Sequence, residues 1–201
     1  MTGKVIVLEG LIGVGKSTLG RSLKKYLPNA IWFPEPVNQE LLKLYVSDMK
    51  RYAFPFQVIM ARERIRIYKE AERLASEGKI VIIDRGLAGD LAFAYMQKEK
   101  GFFTEEEFRV YLDLISEPDI PEPDTTLYLD CKVETAWKRI LARGNPSEKS
   151  SYSLRYLKDL ARSYRKSLAQ TEVLYIDWDK EHSIKENLLS KEICLSVYNL
   201  C

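Results

Sequence analysis

Five short apolar runs punctuate the chain, and each reads as a buried strand: KVIVLE (4–9), AIWF (30–33), KIVIID (79–84), TTLYLD (125–130) and EVLYID (172–177). All are rich in β-branched and aromatic residues. They are continuous rather than alternating, the pattern of parallel strands covered on both faces. Between them the apolar positions recur at helical spacing. The longest such stretch runs from Phe56 to about Ser76 and meets Gly78 as a stop. Lys16–Tyr26, Gly89–Lys100, Thr104–Ser116, Val133–Arg143 and Leu154–Gln170 follow the same rule, and Ser183 to about Tyr198 reads as a last helix. Thr104, with Glu107 three residues on, forms a capping box. Strand and helix alternate throughout, so the predicted fold class is α/β: a five-stranded parallel sheet with helices on both faces. The segment SEPDIPEPDTT (116–126) reads as a turn before the fourth strand. With no repeat or low-complexity linker, residues 1–201 are expected to form a single domain.

Composition narrows the class. The chain has 201 residues, 46% hydrophobic and 30% charged, enough for a real core. A net charge of +2 argues against a protein that coats nucleic acid. Cys131, Cys194 and Cys201 make no C-x-x-C pair, and His182 is the lone histidine, which disfavours a structural zinc site or a disulfide framework. Free thiols in a reducing compartment are the simpler expectation. The opening MTGKVIVLEG has too short an apolar run for a signal peptide, and no stretch approaches the roughly 20 apolar residues of a membrane span. A soluble, cytoplasmic protein without nucleic-acid or membrane partners is expected.

The first strand runs into the pattern Gly10-x-x-x-x-Gly15-Lys16-Ser17, a phosphate-binding loop between a strand and a helix. Glycines at 10, 13 and 15 let the backbone wrap closely and turn its N–H groups inward. The following helix presents its positive end to an anion. Lys16 is placed to reach the β- and γ-phosphates, and the Ser17 hydroxyl to join the shell of a magnesium ion. Gly10, Ile12, Gly13, Val14, Gly15, Lys16, Ser17 and Thr18 are thus expected to bind the triphosphate of ATP or a relative.

Three further patches follow predicted strand ends, where a doubly wound sheet holds its ligands. In FPEPV (33–37), Glu35 stands between two prolines that stiffen its backbone. A carboxylate facing a triphosphate suits a general base for a hydroxyl; a surface Glu in a proline turn explains it as well. In DRGLAGD (84–90), Asp84 is placed to help hold magnesium and Arg85 to hold the transferred phosphoryl group, against the alternative of a structural ion pair. In KRILARGNPSEKS (138–150), Arg139 and Arg143 share one helix face beside a helix-breaking Gly-Asn-Pro, which suits a lid over phosphates or an ordinary solvated basic face.

In combination these motifs, with PFQ (55–57), resemble the deoxyribonucleoside kinase family, toward its deoxyadenosine, deoxyguanosine and deoxycytidine branch, from Val5 to about Ile176. The resemblance implies a P-loop kinase fold, ATP as donor with Mg²⁺, a deoxynucleoside 5′-hydroxyl as acceptor, and a homodimer formed through helix packing. It implies Glu35 as general base and Arg85 as the arginine that orients the hydroxyl and the phosphoryl group. Gln57 is implied as the base-reading amide, with Arg64 and Asp90 meeting the base from the other side. Gln57 and Arg64 are seven residues apart, hence on one helix face. It further implies Phe93 near the base, Tyr45 and Glu148 at the 3′-hydroxyl, and Arg139 and Arg143 in a lid over about 139–152. The chain departs from the common pattern with Asp84-Arg85-Gly86 in place of Glu-Arg-Ser, and with Asn145 where a third lid arginine is frequent.

Two rivals share the loop. A thymidylate-kinase-like nucleotide kinase needs a cation near the second strand for the acceptor's phosphate, but Pro34 stands where an Arg usually precedes Glu-Pro. A phosphate dianion facing Glu35 without counter-charge is repelled. The other is a non-catalytic P-loop switch that senses ATP or GTP; GTP-binding switches usually carry an Asn-Lys-x-Asp to read guanine, and the chain has none.

Overall fold

The computed structural model describes residues 3–27, 29–116, 120–145, 149, 151–169 and 171–179. In chain order the elements are β1 (Lys4–Glu9), α1 (Lys16–Tyr26), β2 (Ala30–Phe33), α2 (Gln39–Ser47), α3 (Met49–Ser76) and β3 (Ile80–Asp84). They continue as α4 (Leu87–Glu99), α5 (Glu105–Ser116), β4 (Thr125–Asp130), α6 (Val133–Arg143), α7 (Leu154–Ser167) and β5 (Leu174–Asp177). The strands pair in parallel in the order β2-β3-β1-β4-β5.

The continuous apolar strands have their explanation in the two covered faces. Along β1, Ile6 and Leu8 pack with Ile82 of β3 and with Leu19 and Leu23 of α1. The alternate residues Val5 and Val7 pack with Val81 and Ile83 and with Tyr68 and Ala71 of α3. A strand with helices on both sides has no solvent side to spare for polar residues. A further cluster, including Tyr45, Ala61, Phe103, Phe108 and Tyr111, joins α2, α3, α4 and α5 beyond the sheet's edge.

The predicted elements that fall on described residues are present, with shifted ends. The first 7 residues of α3 lie upstream of the expected start at Phe56, and Pro55 sits inside the helix. A proline removes only its own N–H bond and crowds one carbonyl a turn back. The helix start is secured instead by Asp48, whose carboxylate accepts from the Arg51 amide at 3.1 Å. The preceding helix, α2, was not expected. Its signal is Asn38, which accepts from the amides of Glu40 (2.9 Å) and Leu41 (3.2 Å), followed by apolar Leu42, Tyr45 and Val46 at helical spacing. α4 begins at Leu87, ahead of Gly89, and α7 closes at Ser167. The expected helix over 183–198, with His182, Cys194 and Cys201, lies outside the described residues, as does Glu148.

The capping box is present. The Glu107 amide donates to Thr104 Oγ1 at 3.1 Å, and Glu107 Oε2 accepts from the Thr104 amide at 2.8 Å. Thr104→Ala is expected to cost about 1 kcal/mol of stability, read from the midpoint shift in urea unfolding at constant slope.

Candidate active site

The strand order reverses about β1: the chain runs from β1 to β2 and β3 on one side, then to β4 and β5 on the other. The crevice beyond the strand tips at such a reversal is where open α/β sheets bind ligands. A cleft of about 430 Å³ lies there. Ile12, Gly13, Gly15, Lys16, Ser17 and Thr18 form one end of it, and Tyr45, Gln57, Arg64, Asp90 and Phe93 the other. Glu35, Asp84 and Arg85 stand in its lining too.

At the phosphate end, Gly13 has φ 80°, and a Cβ there would fall 2.5 Å from Ile140 Cγ1 and 2.9 Å from the Ala136 carbonyl oxygen. The loop therefore lies directly on α6, and only glycine permits the approach. α1 starts after Gly15 with no side-chain cap, which leaves its first amides for an anion. Lys16 is 6% exposed, and its Nζ donates to the carbonyls of Gly10 and Leu11, both at 3.1 Å. Burial and the neighbouring Arg85 cation bring its ammonium down to about 8, despite the carboxylates of Asp84, Glu35 and Glu9. Ser17 Oγ donates to Asp84 Oδ2 at 2.6 Å, while Asp84 Oδ1 is buried without a hydrogen-bond partner. Two neighbouring oxygen ligands, one of them an unpartnered carboxylate oxygen, fit a hard divalent cation such as Mg²⁺.

Arg85 directly follows β3. Its amide donates to the Leu8 carbonyl at 2.9 Å, which ties it to β1, and its φ of 68° places a non-glycine residue in the left-handed region. That turn sends the side chain back under the loop. Arg85 Nε and Arg64 Nη2 both donate to Glu35 Oε1 at 2.8 Å. The Glu35 side chain is 27% exposed, so its carboxylate is held between two guanidiniums yet open to the cleft. Burial alone would raise its proton affinity; Arg85, Arg64 and Lys16 overcome that and hold the acid well below the ordinary carboxylate range.

At the other end Arg64 and Asp90 are 3% and 1% exposed and joined by a 2.7 Å contact between Nε and Oδ1. Asp90 Oδ2 accepts from the Tyr111 hydroxyl at 2.8 Å, and its carbonyl from Gln57 Nε2 at 3.0 Å. Gln57 Oε1 in turn accepts from Gln97 Nε2 at 2.9 Å. Tyr45 stacks on Phe56 with ring centroids 4.8 Å apart. Phe93 lies under the Arg85 guanidinium at 4.9 Å. Removing one partner of the buried pair strands the other, so Arg64→Leu is expected to cost about 3–5 kcal/mol. Arg64→Leu with Asp90→Leu should cost less than that single change, as measured by denaturant unfolding of the two variants. A double variant less stable than Arg64→Leu would contradict it.

Three expected residues do not meet the cleft. Gly10 contributes its carbonyl to Lys16 and Arg85 rather than lining the cleft. The Val14 side chain belongs to the core beneath α1. Arg139 is not a cleft-lining lid residue. Its Nη1 donates to the Val14 carbonyl at 2.9 Å and its Nη2 to that of Trp178 at 3.1 Å. Arg143, one turn further out at the end of α6, does line the cleft. The shared helix face is real, but the inner arginine finds backbone carbonyls within reach and braces the loop from behind. Arg21, Met60, Gln97 and Tyr156 line the cleft and were not expected. Gln97 carried a signal: it stands seven residues after Asp90, on the same face of α4.

Residues 6–201 match the family model described as deoxynucleoside kinase. The chain is 35% identical over 171 residues to a deoxyguanosine kinase of Lactobacillus johnsonii, covering 80% of this chain and 75% of that protein. It is 28% identical over 186 residues to a deoxyadenosine kinase of Dictyostelium discoideum, covering 90% and 74%. A structure of deoxyadenosine kinase from M. mycoides, with products dCMP and a flexible dCDP bound, superposes with a TM-score of 0.80 at 25% identity, covering 98% of this chain and 100% of that one. The fold is that of the P-loop kinases, and the chain belongs to the deoxynucleoside kinase family. The family is one of ATP-dependent phosphotransferases that act on deoxyribonucleosides. Among the described residues no helix is long and apolar enough to cross a membrane.

Proposed function

We propose that this chain moves the γ-phosphoryl group of ATP to the 5′-hydroxyl of a deoxynucleoside bound between Glu35 and the face formed by Gln57, Arg64, Asp90 and Phe93. One observation carries the reading: the Glu35 carboxylate, gripped by Arg64 and Arg85, faces the cleft that the phosphate loop closes at its other end. In this reading Glu35 accepts the hydroxyl proton and Arg85 meets the transferring group. Lys16 and the α1 amides neutralise the donor's phosphates, and Arg143 covers them. Tyr45, with Glu148, takes the 3′-hydroxyl. A bound Mg²⁺, held through Ser17 and Asp84, would neutralise charge on the donor's phosphates.

Both guanidiniums beside Glu35 already donate to its carboxylate, which favours a neutral hydroxyl over a phosphate dianion as acceptor. The test is ADP release from ATP–Mg with deoxyadenosine, deoxycytidine, deoxyguanosine, thymidine and thymidine monophosphate supplied separately. Turnover with a nucleoside supports the reading; turnover with the monophosphate alone refutes it. A homodimer is part of the proposal. Ile59 on α3 and Val110 on α5 are 38% and 54% exposed on helices that pack against each other. Sedimentation equilibrium giving a monomer at micromolar concentration would remove it.

A further inference from the structure

Glu9 ends the first strand with a charge, and the phosphate-loop pattern has no use for it. It is fully buried, at 0% exposure. Its Oε1 accepts from the amides of Gly86 (2.8 Å) and Gly89 (2.9 Å), at the start of α4, where the helix dipole favours an anion. Its Oε2 accepts from the hydroxyl of Tyr164 at 2.9 Å. Tyr164 comes from the middle of α7, is 1% exposed, and accepts in turn from Arg85 Nη1. A phenol has one proton and two lone pairs. With the proton committed to Glu9, a lone pair faces the guanidinium.

The backbone carries an independent mark of the same arrangement. A Cβ on Gly89 would fall 2.3 Å from Glu9 Oε2, 2.6 Å from Arg85 Cγ and 2.7 Å from Tyr164 Oη. Three side chains from three distant parts of the chain converge on the space that one missing side chain leaves. Arg85 is then held by acceptors on separate elements: Glu35 at Nε, and Tyr164 with the Gly10 carbonyl (3.3 Å) at Nη1.

We propose that Glu9 and Tyr164 are positioning residues for phosphoryl transfer. Glu9 orients the Tyr164 hydroxyl, and the hydroxyl fixes the Arg85 guanidinium before the phosphate arrives. The proposal rests on the reading of Arg85 as the group that meets the transferring phosphoryl. Donors fixed in advance cost no reorganisation when charge develops, so their loss is felt in the transition state more than in substrate binding.

Tyr164→Phe keeps the ring, which packs edge-on against Tyr128 at 5.5 Å between centroids, and removes only the hydroxyl. Steady-state kinetics of Tyr164→Phe, Glu9→Gln, Arg85→Lys and Arg85→Lys with Tyr164→Phe, with thermal midpoints, make the test. Tyr164→Phe is expected to lower kcat by about tenfold or more, with KM for nucleoside and ATP within about threefold, the pattern of a lost transition-state interaction. Glu9→Gln should do the same, because its amide N–H₂ competes for the lone pair that Arg85 uses. In the Arg85→Lys background Tyr164→Phe should add less than about twofold, since the planar fork whose Nε meets Glu35 and whose Nη1 meets Tyr164 is gone. Wild-type kcat in Tyr164→Phe beside a collapsed Arg85→Lys overturns this inference and leaves the proposed function standing. Wild-type kcat in Arg85→Lys overturns the role of Arg85 and this inference with it. If Tyr164→Phe does not fold, Glu9→Gln decides: a folded variant with wild-type kcat overturns the inference, and one with lowered kcat at unchanged KM supports it.

Discussion

Glu35→Gln is expected to lower kcat by about 10²–10⁴-fold, with a much smaller change in the KM for deoxynucleoside. The amide keeps the size of the carboxylate and one acceptor oxygen, so the nucleoside should still be seated. It cannot take the hydroxyl proton, and it leaves Arg64 and Arg85, which both donate to Glu35 Oε1 at 2.8 Å, without their shared counter-charge. Those guanidiniums also define how Glu35 would work as the proposed base. They hold its proton affinity well below the ordinary carboxylate range against the effect of burial, so Glu35 is a weak base at rest. A loose transition state asks little of the base early, because the attacking oxygen loses its proton late. On the proposed reading its first duty is to aim the hydroxyl, and its second to receive the proton once charge has built up. The sign for pH follows. A depressed acid stays ionised from neutrality down through the usual carboxylate range, so any loss of rate owed to Glu35 protonation sets in only below that range. Steady-state rates of the Gln variant at saturating ATP decide the matter, and an unchanged kcat would remove Glu35 from the mechanism.

Lys16→Met is expected to cost about 10²–10³-fold in kcat, the range for one charged donor aimed at developing charge, while the fold survives. In the free protein the Lys16 ammonium sits on the carbonyls of Gly10 and Leu11 at 3.1 Å, with its proton affinity lowered to about 8 by burial and Arg85. Losing two neutral-acceptor hydrogen bonds costs about 1 kcal/mol each. Relief from burying a cation next to another offsets part of that. A shift of about 5 °C or less in the thermal midpoint is therefore expected at this chain length. A variant that loses activity only because it unfolds would instead show a far larger shift, and a folded variant with wild-type kcat would refute the role.

The two ends of the site differ in how legible they are from the chain alone. The phosphate loop is local: glycines 10, 13 and 15, Lys16 and Ser17 lie within one strand-turn-helix, and their φ values of 141°, 80° and 112° at the glycines follow from residue type. Gln57 and Arg64 on one face of α3 were equally legible, because helical spacing alone puts them there. Arg139 lies behind the loop rather than in the cleft lining for the complementary reason. Its four-residue spacing from Arg143 predicts a shared face but says nothing of the carbonyls of Val14 and Trp178 that capture it. Glu9 carried no readable role, since an acid at a strand end looks alike whether it faces solvent or the amides of a helix start.

The order of the strands and of the described helices other than α2, the phosphate cradle and the chemical types at each strand tip were determined by the sequence, because all are set by spacings of a few residues. The tertiary structure alone decided that Arg85 meets Glu35 across 50 positions and Tyr164 meets Glu9 across 155; the family resemblance named Arg64 and Asp90 together, and the fold joins them across 26. The reason is physical. A periodic pattern fixes the direction of a side chain relative to its own element, whereas a buried ion pair depends on how distant elements dock. That docking is chosen by the packing of the whole core rather than by the charged residues themselves.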